Sequence, residues 1–164
     1  MVFKQYRDGL GGIVAIGQKA PDFKLKGAAG KEVHLSDFKG KLVFLNFWAT
    51  WCAPCVEEMP DMELLYRSMT DKNFEMVAVS ADVDYANVKA FYSQHQLTLP
   101  NYPDPGQSVA RDYHTTGFPE TFLIDGNGYI RKHYIGPQKW ISPQVLSLID
   151  KMVQEQGAAK TASN

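Results

Sequence analysis

Cys52 and Cys55 are the only two cysteines in the chain, and two residues separate them. A pair so close cannot join distant parts of a fold, so it either performs local chemistry or packs inertly. Zinc needs four ligands, or three and a water. The histidines that would complete such a set, His34, His95, His114 and His133, are scattered without metal-ligand spacing. Dithiol–disulfide exchange needs only the pair, an S–S bond closing across one helical turn, and a thiol acidic enough to attack. The pair follows a buried-strand pattern and opens a helix, so Cys52 sits where unpaired N–H groups and the helix dipole favour negative charge. That setting lowers a thiol pKa from about 8.5 towards neutrality. Cys52 is therefore expected to be the exposed attacking thiolate. Cys55, one turn deeper, is expected to resolve the mixed disulfide, with Pro54 stiffening the spacer.

The elements that must position this pair are read from periodicity and turn chemistry. Leu42–Phe47 is a nearly continuous apolar run, the signature of a central strand covered on both faces. Lys24–Leu25 and Glu32–Leu35 are short strand candidates joined by the turn-forming Gly27–Gly30, and Ser36–Gly40 is a tight connector. A helix runs from near Cys52 to about Met69, with Pro60 kinking it and Met59, Met62, Leu65 and Met69 forming one buried stripe. Phe74–Ser80 is a second buried strand, and Tyr85–His95 a helix. Pro100–Pro105 is a loop or short edge strand, Gln107–Tyr113 a short helix. Thr121–Ile124 and Tyr129–Tyr134 form a hairpin about Asp125–Gly128. Ser142 caps a last helix, with Pro143 at its first position, that ends near Gln156. This order gives an α/β domain with a mixed sheet. Residues 1–17 read as a lead-in, 18–156 as the domain, and 157–164 as a disordered tail.

Composition excludes several classes. The 164 residues suit one domain. Seventeen basic against eighteen acidic residues, a net charge of −1, argues against nucleic acid as a partner. Hydrophobic residues at 45% and charged residues at 21% suit a globular core rather than a disordered chain. No apolar run approaches the roughly 20 residues of a membrane span, and Ile13–Ile16 is too short for a signal-peptide core. The expectation is either a cytoplasmic protein or an exported one whose leader precedes this sequence.

Several motifs together carry a family resemblance. Phe47-Trp48-Ala49-Thr50-Trp51-Cys52-Ala53-Pro54-Cys55, then Pro60, then Gly117-Phe118-Pro119-Glu120-Thr121-Phe122-Leu123-Ile124-Asp125 resemble the thioredoxin superfamily. The opening Ala20-Pro21-Asp22-Phe23 and the connector Leu35–Lys41 resemble its TlpA/ResA/CcmG-like thiol–disulfide oxidoreductases. So does the helix that follows Phe74–Ser80. The resemblance spans about residues 16–155. It implies a thioredoxin-like fold: a central mixed sheet flanked by helices, an N-terminal β-hairpin extension and an extra central helix. It also implies an extracytoplasmic, cofactor-free and monomeric protein. Its expected partners are protein disulfides, such as those of apocytochrome c or its handling proteins, with a membrane thiol donor supplying electrons.

Carried over residue by residue, the resemblance makes Cys52 the nucleophile and Cys55 the resolver. Pro119 becomes a cis-proline facing the pair, shaping a loop whose backbone pairs with an extended substrate. Glu58, three positions after Cys55, is a candidate proton carrier where thioredoxin's buried aspartate is replaced by Asn46. Alternatively, it is a solvated acid early in a helix. Trp51, Ala53, Pro54, Phe118 and Glu120 are candidate substrate contacts; Glu120 is also a second candidate proton carrier, with the alternative of an ordinary surface charge. Trp48 is expected in the core. Two other functions compete: a peroxiredoxin-like peroxidase, which shares the Ala20–Phe23 opening, and a thioredoxin-fold module that only docks a partner.

Overall fold

A computed structural model describes residues 14–162. Two short antiparallel strands come first, β1 (Lys24–Lys26) and β2 (Glu32–His34), followed by a 3-10 turn over Leu35–Phe38. β3 (Leu42–Trp48) is buried at all seven positions. It pairs in parallel with β4 (Phe74–Ser80) and antiparallel with β6 (Glu120–Ile124). β5 (Asn101–Pro103) and β7 (Ile130–Ile135) close the edges, giving the order β5-β4-β3-β6-β7. α1 (Ala53–Ser68) follows β3, α2 (Tyr85–His95) follows β4, and α3 (Ser108–Asp112) follows β5. The chain ends on α4 (Pro143–Ala162).

The alternation of side chains along β3 divides the core in two. Leu42, Phe44 and Trp48 face a cluster that holds Met59, Met62 and Leu65 of α1 and Ile149 and Met152 of α4. Val43, Leu45 and Phe47 face the other side, against Phe23, Leu25, Val33, Val109, Tyr113 and Phe122. Asn46 shares the first face by the same two-residue period, so its amide points at α1. The Met stripe is core, as its spacing predicts. Trp48 is fully buried, its indole N–H donating to Asn101 Oδ1 at 2.9 Å.

α1 runs through Pro60 to Ser68, close to the expected end at Met69. One expectation differs from the structure. α4 runs six residues beyond the expected end at Gln156, so residues 157–162 are helical rather than a disordered tail. A single glycine at position 157 does not stop a helix when the residues after it, rich in alanine, propagate it well. Gln156 also fastens that end, its Oε1 accepting the Gly126 N–H at 2.9 Å and its Nε2 donating to Met152 O at 3.0 Å. Residues 1–13 of the lead-in, and residues 163–164, lie outside the described residues. Among the described residues no helix is long and apolar enough to cross a membrane.

A buried acid ties α1 to the chain between α2 and β5. Glu63 accepts from the Thr98 N–H and the Leu99 N–H, each at 2.9 Å, from the Thr98 hydroxyl, and from Arg67 Nε at 3.0 Å. Burial alone would raise its pKa, but these donors together hold it below the ordinary carboxylate value. A depressed carboxylate stabilises the fold above its unfolded pKa, and that stability is lost as pH falls through the folded one. Glu63→Gln should therefore cost about 1–3 kcal/mol at pH 7. In urea unfolding the difference from wild type should shrink as pH drops below the usual glutamate range.

Candidate active site

At the end of β3 the chain turns through Ala49–Cys52, and the Cys52 N–H donates to Ala49 O at 3.2 Å. Cys52 is the N-cap of α1 with an extended backbone, φ −98° and ψ 104°. The first helical bond runs from the Val56 N–H to Cys52 O at 3.1 Å. The Cys55 N–H, one of the donors that a helix start leaves unpaired, donates to Cys52 Sγ at 3.3 Å. Cys52 and Cys55 are joined by a disulfide, with their Cα atoms 5.3 Å apart, inside the range such a bond requires.

Cys55 is completely buried. Cys52 keeps 7% of its surface, which makes it the more open of the two but less exposed than expected. The cover comes from the segment before β6. Cys52 Sγ lies 3.6 Å from the Phe118 carbonyl oxygen, and the Phe118–Pro119 peptide is cis. Pro119 is buried, and its carbonyl accepts from the Gly136 N–H at 2.9 Å, fixing this segment to the end of β7. Phe118 is half-buried, with its ring 5.9 Å from that of Trp51. Trp51 itself is 66% exposed, and Ala53 and Pro54 are exposed beside it. The two segments that the sequence singles out thus meet at the disulfide.

Glu58 is buried, which removes the solvated alternative. Its Oε1 accepts from Asn46 Nδ2 at 3.1 Å. Its Oε2 accepts from the Gln138 N–H at 3.1 Å and from Trp140 Nε1 at 2.9 Å. Burial pushes this carboxyl up from its ordinary value, against the pull of the three donors. Asn46 also donates to Thr121 Oγ1 at 2.9 Å, while its Oδ1 is buried with no hydrogen-bond partner. The acid stands one helical turn beyond Cys55 on the same helix.

Glu120 was expected at the substrate surface and instead turns inward, almost wholly buried. One oxygen accepts from the N–H and the hydroxyl of Thr116, at 2.8 and 3.0 Å. The other is 2.9 Å from His133 Nε2. The His133 ring stacks on Phe122 with centroids 4.2 Å apart. Burial would raise the Glu120 pKa, but His133 and Thr116 hold it below the usual value. The reason is register. Glu120 shares its sheet face with Phe122, which alternation sends into the second core.

Sequence reasoning missed Trp140, Gln138, Thr121, His133 and Asp82 as neighbours of the site. None lies in a local motif with the cysteines; the register of β3 with β4 and β6, the pairing of β6 with β7, and the return of the chain after β7 bring them in. A cavity of about 480 Å³ lined by Lys19, Asp22, Phe38, Val43 and Gly126 sits at the opposite end of β3 from the pair.

Residues 16–133 match the AhpC/TSA family. The ResA thiol–disulfide oxidoreductase of Bacillus thuringiensis is 43% identical over 123 residues, covering 75% of this chain and 71% of that protein. The thioredoxin-like protein YneN of Bacillus subtilis is likewise 43% identical, covering 73% of this chain and 71% of its own length. In three dimensions the chain is similar to a Chlorobium tepidum protein described as a thiol:disulfide interchange protein DsbE. That likeness has a TM-score of 0.75 at 33% identity and covers 87% of this chain and 98% of the other. A bonded Cys-x-x-Cys at the start of a helix, on a thioredoxin-like fold shared with these relatives over most of their length, is a redox centre. The chain belongs to the AhpC/TSA family, among its thioredoxin-like thiol–disulfide oxidoreductases.

Proposed function

We propose that this enzyme works as a reductant of protein disulfides outside the cytoplasm, on apocytochrome c or proteins that handle it. The observation that carries the reading is the N–H of Cys55 aimed at Cys52 Sγ, which stabilises a thiolate there once the pair is reduced. The Cys52 thiolate attacks one sulfur of the substrate disulfide. That S–S bond breaks as the mixed bond forms, and the other substrate sulfur leaves as a thiolate and takes up a proton. Cys55, having lost its proton, then attacks Cys52 Sγ. The second substrate sulfur leaves and is protonated in turn. The substrate gains two electrons and two protons, and the enzyme is left with the Cys52–Cys55 disulfide. A membrane thiol donor restores the dithiol.

In this reading Glu58 takes the proton from buried Cys55. A protonated Glu58 becomes a donor, and rotation of the Asn46 amide offers it the Oδ1 that has no partner. Trp51, Ala53, Pro54 and the backbone of Phe118 form the contact surface for an extended substrate segment, and Pro119 shapes its wall. Glu120 acts behind that surface rather than on it. The match to the AhpC/TSA family also raises a peroxidase reading, which calls for a guanidinium beside the attacking sulfur. Among the described residues the arginines are engaged elsewhere: Arg67 on Glu63, Arg111 on Gly106 O and Arg131 on Asp125. Exchange with a resolving cysteine therefore has the stronger support.

Cys52→Ser should abolish reduction of a protein disulfide such as insulin, whereas Cys55→Ser should accumulate mixed disulfides that resolve on non-reducing gels. Turnover of hydrogen peroxide at a rate exceeding insulin reduction would favour the peroxidase. In whole cells, a membrane-impermeant thiol reagent should label the reduced pair; protection until lysis would return the protein to the cytoplasm.

The pH profile of active-site thiol alkylation tests Glu58. In the wild type it should carry an inflection above the ordinary glutamate range, because burial raises that acid. Glu58→Gln should remove the inflection and move the remaining thiol titration to lower pH, since a negative charge beside Cys55 is gone. Trp140→Phe, which deletes a donor to the carboxylate, should push the inflection further up. An unchanged profile in Glu58→Gln would return the acid to a structural role.

A further inference from the structure

Asp82 lies two residues beyond the end of β4, and its carboxylate is buried. Both of its oxygens are used by one residue: Oδ2 accepts the Thr50 N–H at 3.1 Å, and Oδ1 accepts the Thr50 hydroxyl. No other hydrogen bond or ion pair reaches this carboxylate among the described residues, and Thr50 lies in the turn that delivers Trp51 and Cys52. A buried carboxylate without a cation is expensive to keep, so a group that contacts only this turn acts on this turn. The other buried acids differ. Glu63 ties down the chain before β5, and Asp104 accepts the N–H groups of Ser108, Val109 and Ala110 at the start of α3.

The geometry explains why the turn needs such a holder. The β3–β4 register ends at Trp48 opposite Ser80, and the Ala81 N–H still reaches Trp48 O at 2.9 Å. Beyond that rung the ladder offers nothing to Thr50, so its N–H would go unpaired as the chain turns away. The turn is closed at its far end by the Cys52 N–H on Ala49 O. The Thr50–Asp82 pair fixes the residue between those two anchors. Trp51 is thereby held outward against Phe118, and Cys52 inward at the helix start.

The structure assigns Asp82, acting through Thr50, as the positioning residue that sets where Cys52 Sγ and Trp51 stand for attack on a substrate disulfide. The assignment rests on the reading of Cys52 as nucleophile. Asp82 touches neither substrate nor sulfur; it works through the turn. Asp82→Asn preserves the pair, because the Thr50 N–H donates to the new Oδ1 while the hydroxyl reverses and accepts from Nδ2. Thr50→Val deletes the hydroxyl at nearly constant shape, and Thr50→Ser restores it.

The test compares Thr50→Val, Thr50→Ser, Asp82→Ala and Asp82→Asn in the full chain. One readout is kcat/KM for insulin reduction. The other is the rate of iodoacetamide alkylation of Cys52 in the reduced protein with Cys55→Ser as background. Thr50→Val and Asp82→Ala should each lower both rates by about 10-fold, the scale of a modest misplacement of a reacting group. Thr50→Ser and Asp82→Asn should stay within about twofold of wild type, since the bond that orients the turn is kept. A role confined to stability would lower the melting temperature of Thr50→Val without rescue of either rate by Thr50→Ser. That pattern, or wild-type rates in Thr50→Val, would overturn the assignment. If Asp82→Asn falls as far as Asp82→Ala, charge rather than geometry is at work and the assignment is likewise overturned. Insulin reduction that survives Cys52→Ser would instead refute the nucleophile reading, a result none of the Thr50 or Asp82 variants can mimic.

Discussion

The site depends on one backbone N–H. Cys52 caps α1, and the Cys55 amide donates to its sulfur at 3.3 Å. The same two residues that exchange electrons therefore also begin the helix. A helix start leaves four N–H groups without backbone partners, and a side chain at the cap that accepts one is a general solution to that deficit. Here the acceptor is sulfur, a weak acceptor when neutral or bonded and a strong one when it carries charge. The deficit of the helix is thus best met by the reactive form of the cysteine. Local structure and redox chemistry are one interaction read in two ways, and β3 and α1 are the elements that fix it in place.

The loops around the pair cannot use the sheet to satisfy their backbone groups, and buried carboxylates do so instead. Asp82 takes the Thr50 N–H, Glu120 the Thr116 N–H and Glu58 the Gln138 N–H. Each holds one of three segments that converge on the disulfide: the turn before Cys52, the chain before Pro119, and the return after β7. A charged acceptor makes a stronger bond to an amide than a neutral one, which offsets part of the desolvation penalty. An apolar residue at any of these places would pack well and leave a loop amide unpaired. The arrangement exchanges some stability for fixed positions, a trade expected near reacting groups.

What could be read from the sequence follows the range of the interactions concerned. The apolar run of β3, the helix start at Cys52, the β6–β7 hairpin about Asp125–Gly128 and the cap at Ser142 are written in neighbouring residues, so their patterns sufficed. The resemblance brought Phe118 and Pro119 to the cysteines across a gap that periodicity could not bridge. The end of α4 was misjudged because Gly157 is a strong local signal, while the opposing contact of Gln156 with Gly126 comes from 30 residues away. Glu58 meets Trp140 across 82 residues and Asn46 meets Thr121 across 75. Such pairings are set by sheet register and by the course of the chain after β7. A sequence without its fold carries no trace of them. Glu120 shows the limit most clearly: its position beside Pro119 was legible, but the direction of its side chain was decided by strand alternation.

Electrostatics at the pair run in two opposing directions. The start of α1 favours negative charge on Cys52, and a couple whose reduced form is stabilised in that way becomes more oxidising. Buried carboxylates close by disfavour a second negative charge and restrain that tendency. They are not equivalent. Burial would raise Glu120, yet His133 and Thr116 hold it low, so it stays charged and merely contributes a fixed field. Glu58 is raised by burial and stands a turn from Cys55. Its charge can respond to what the thiol does. Where two ionisable groups interact strongly, their protons leave in steps that belong to the pair; in the mechanism proposed above, ionising Glu58 makes Cys55 harder to deprotonate, and protonating it makes Cys55 easier. The resolving step needs a Cys55 thiolate only after Cys52 is bonded to substrate and has lost its charge. In the proposed mechanism, Glu58 taking up the Cys55 proton at that moment supplies the nucleophile without placing two negative sulfurs side by side.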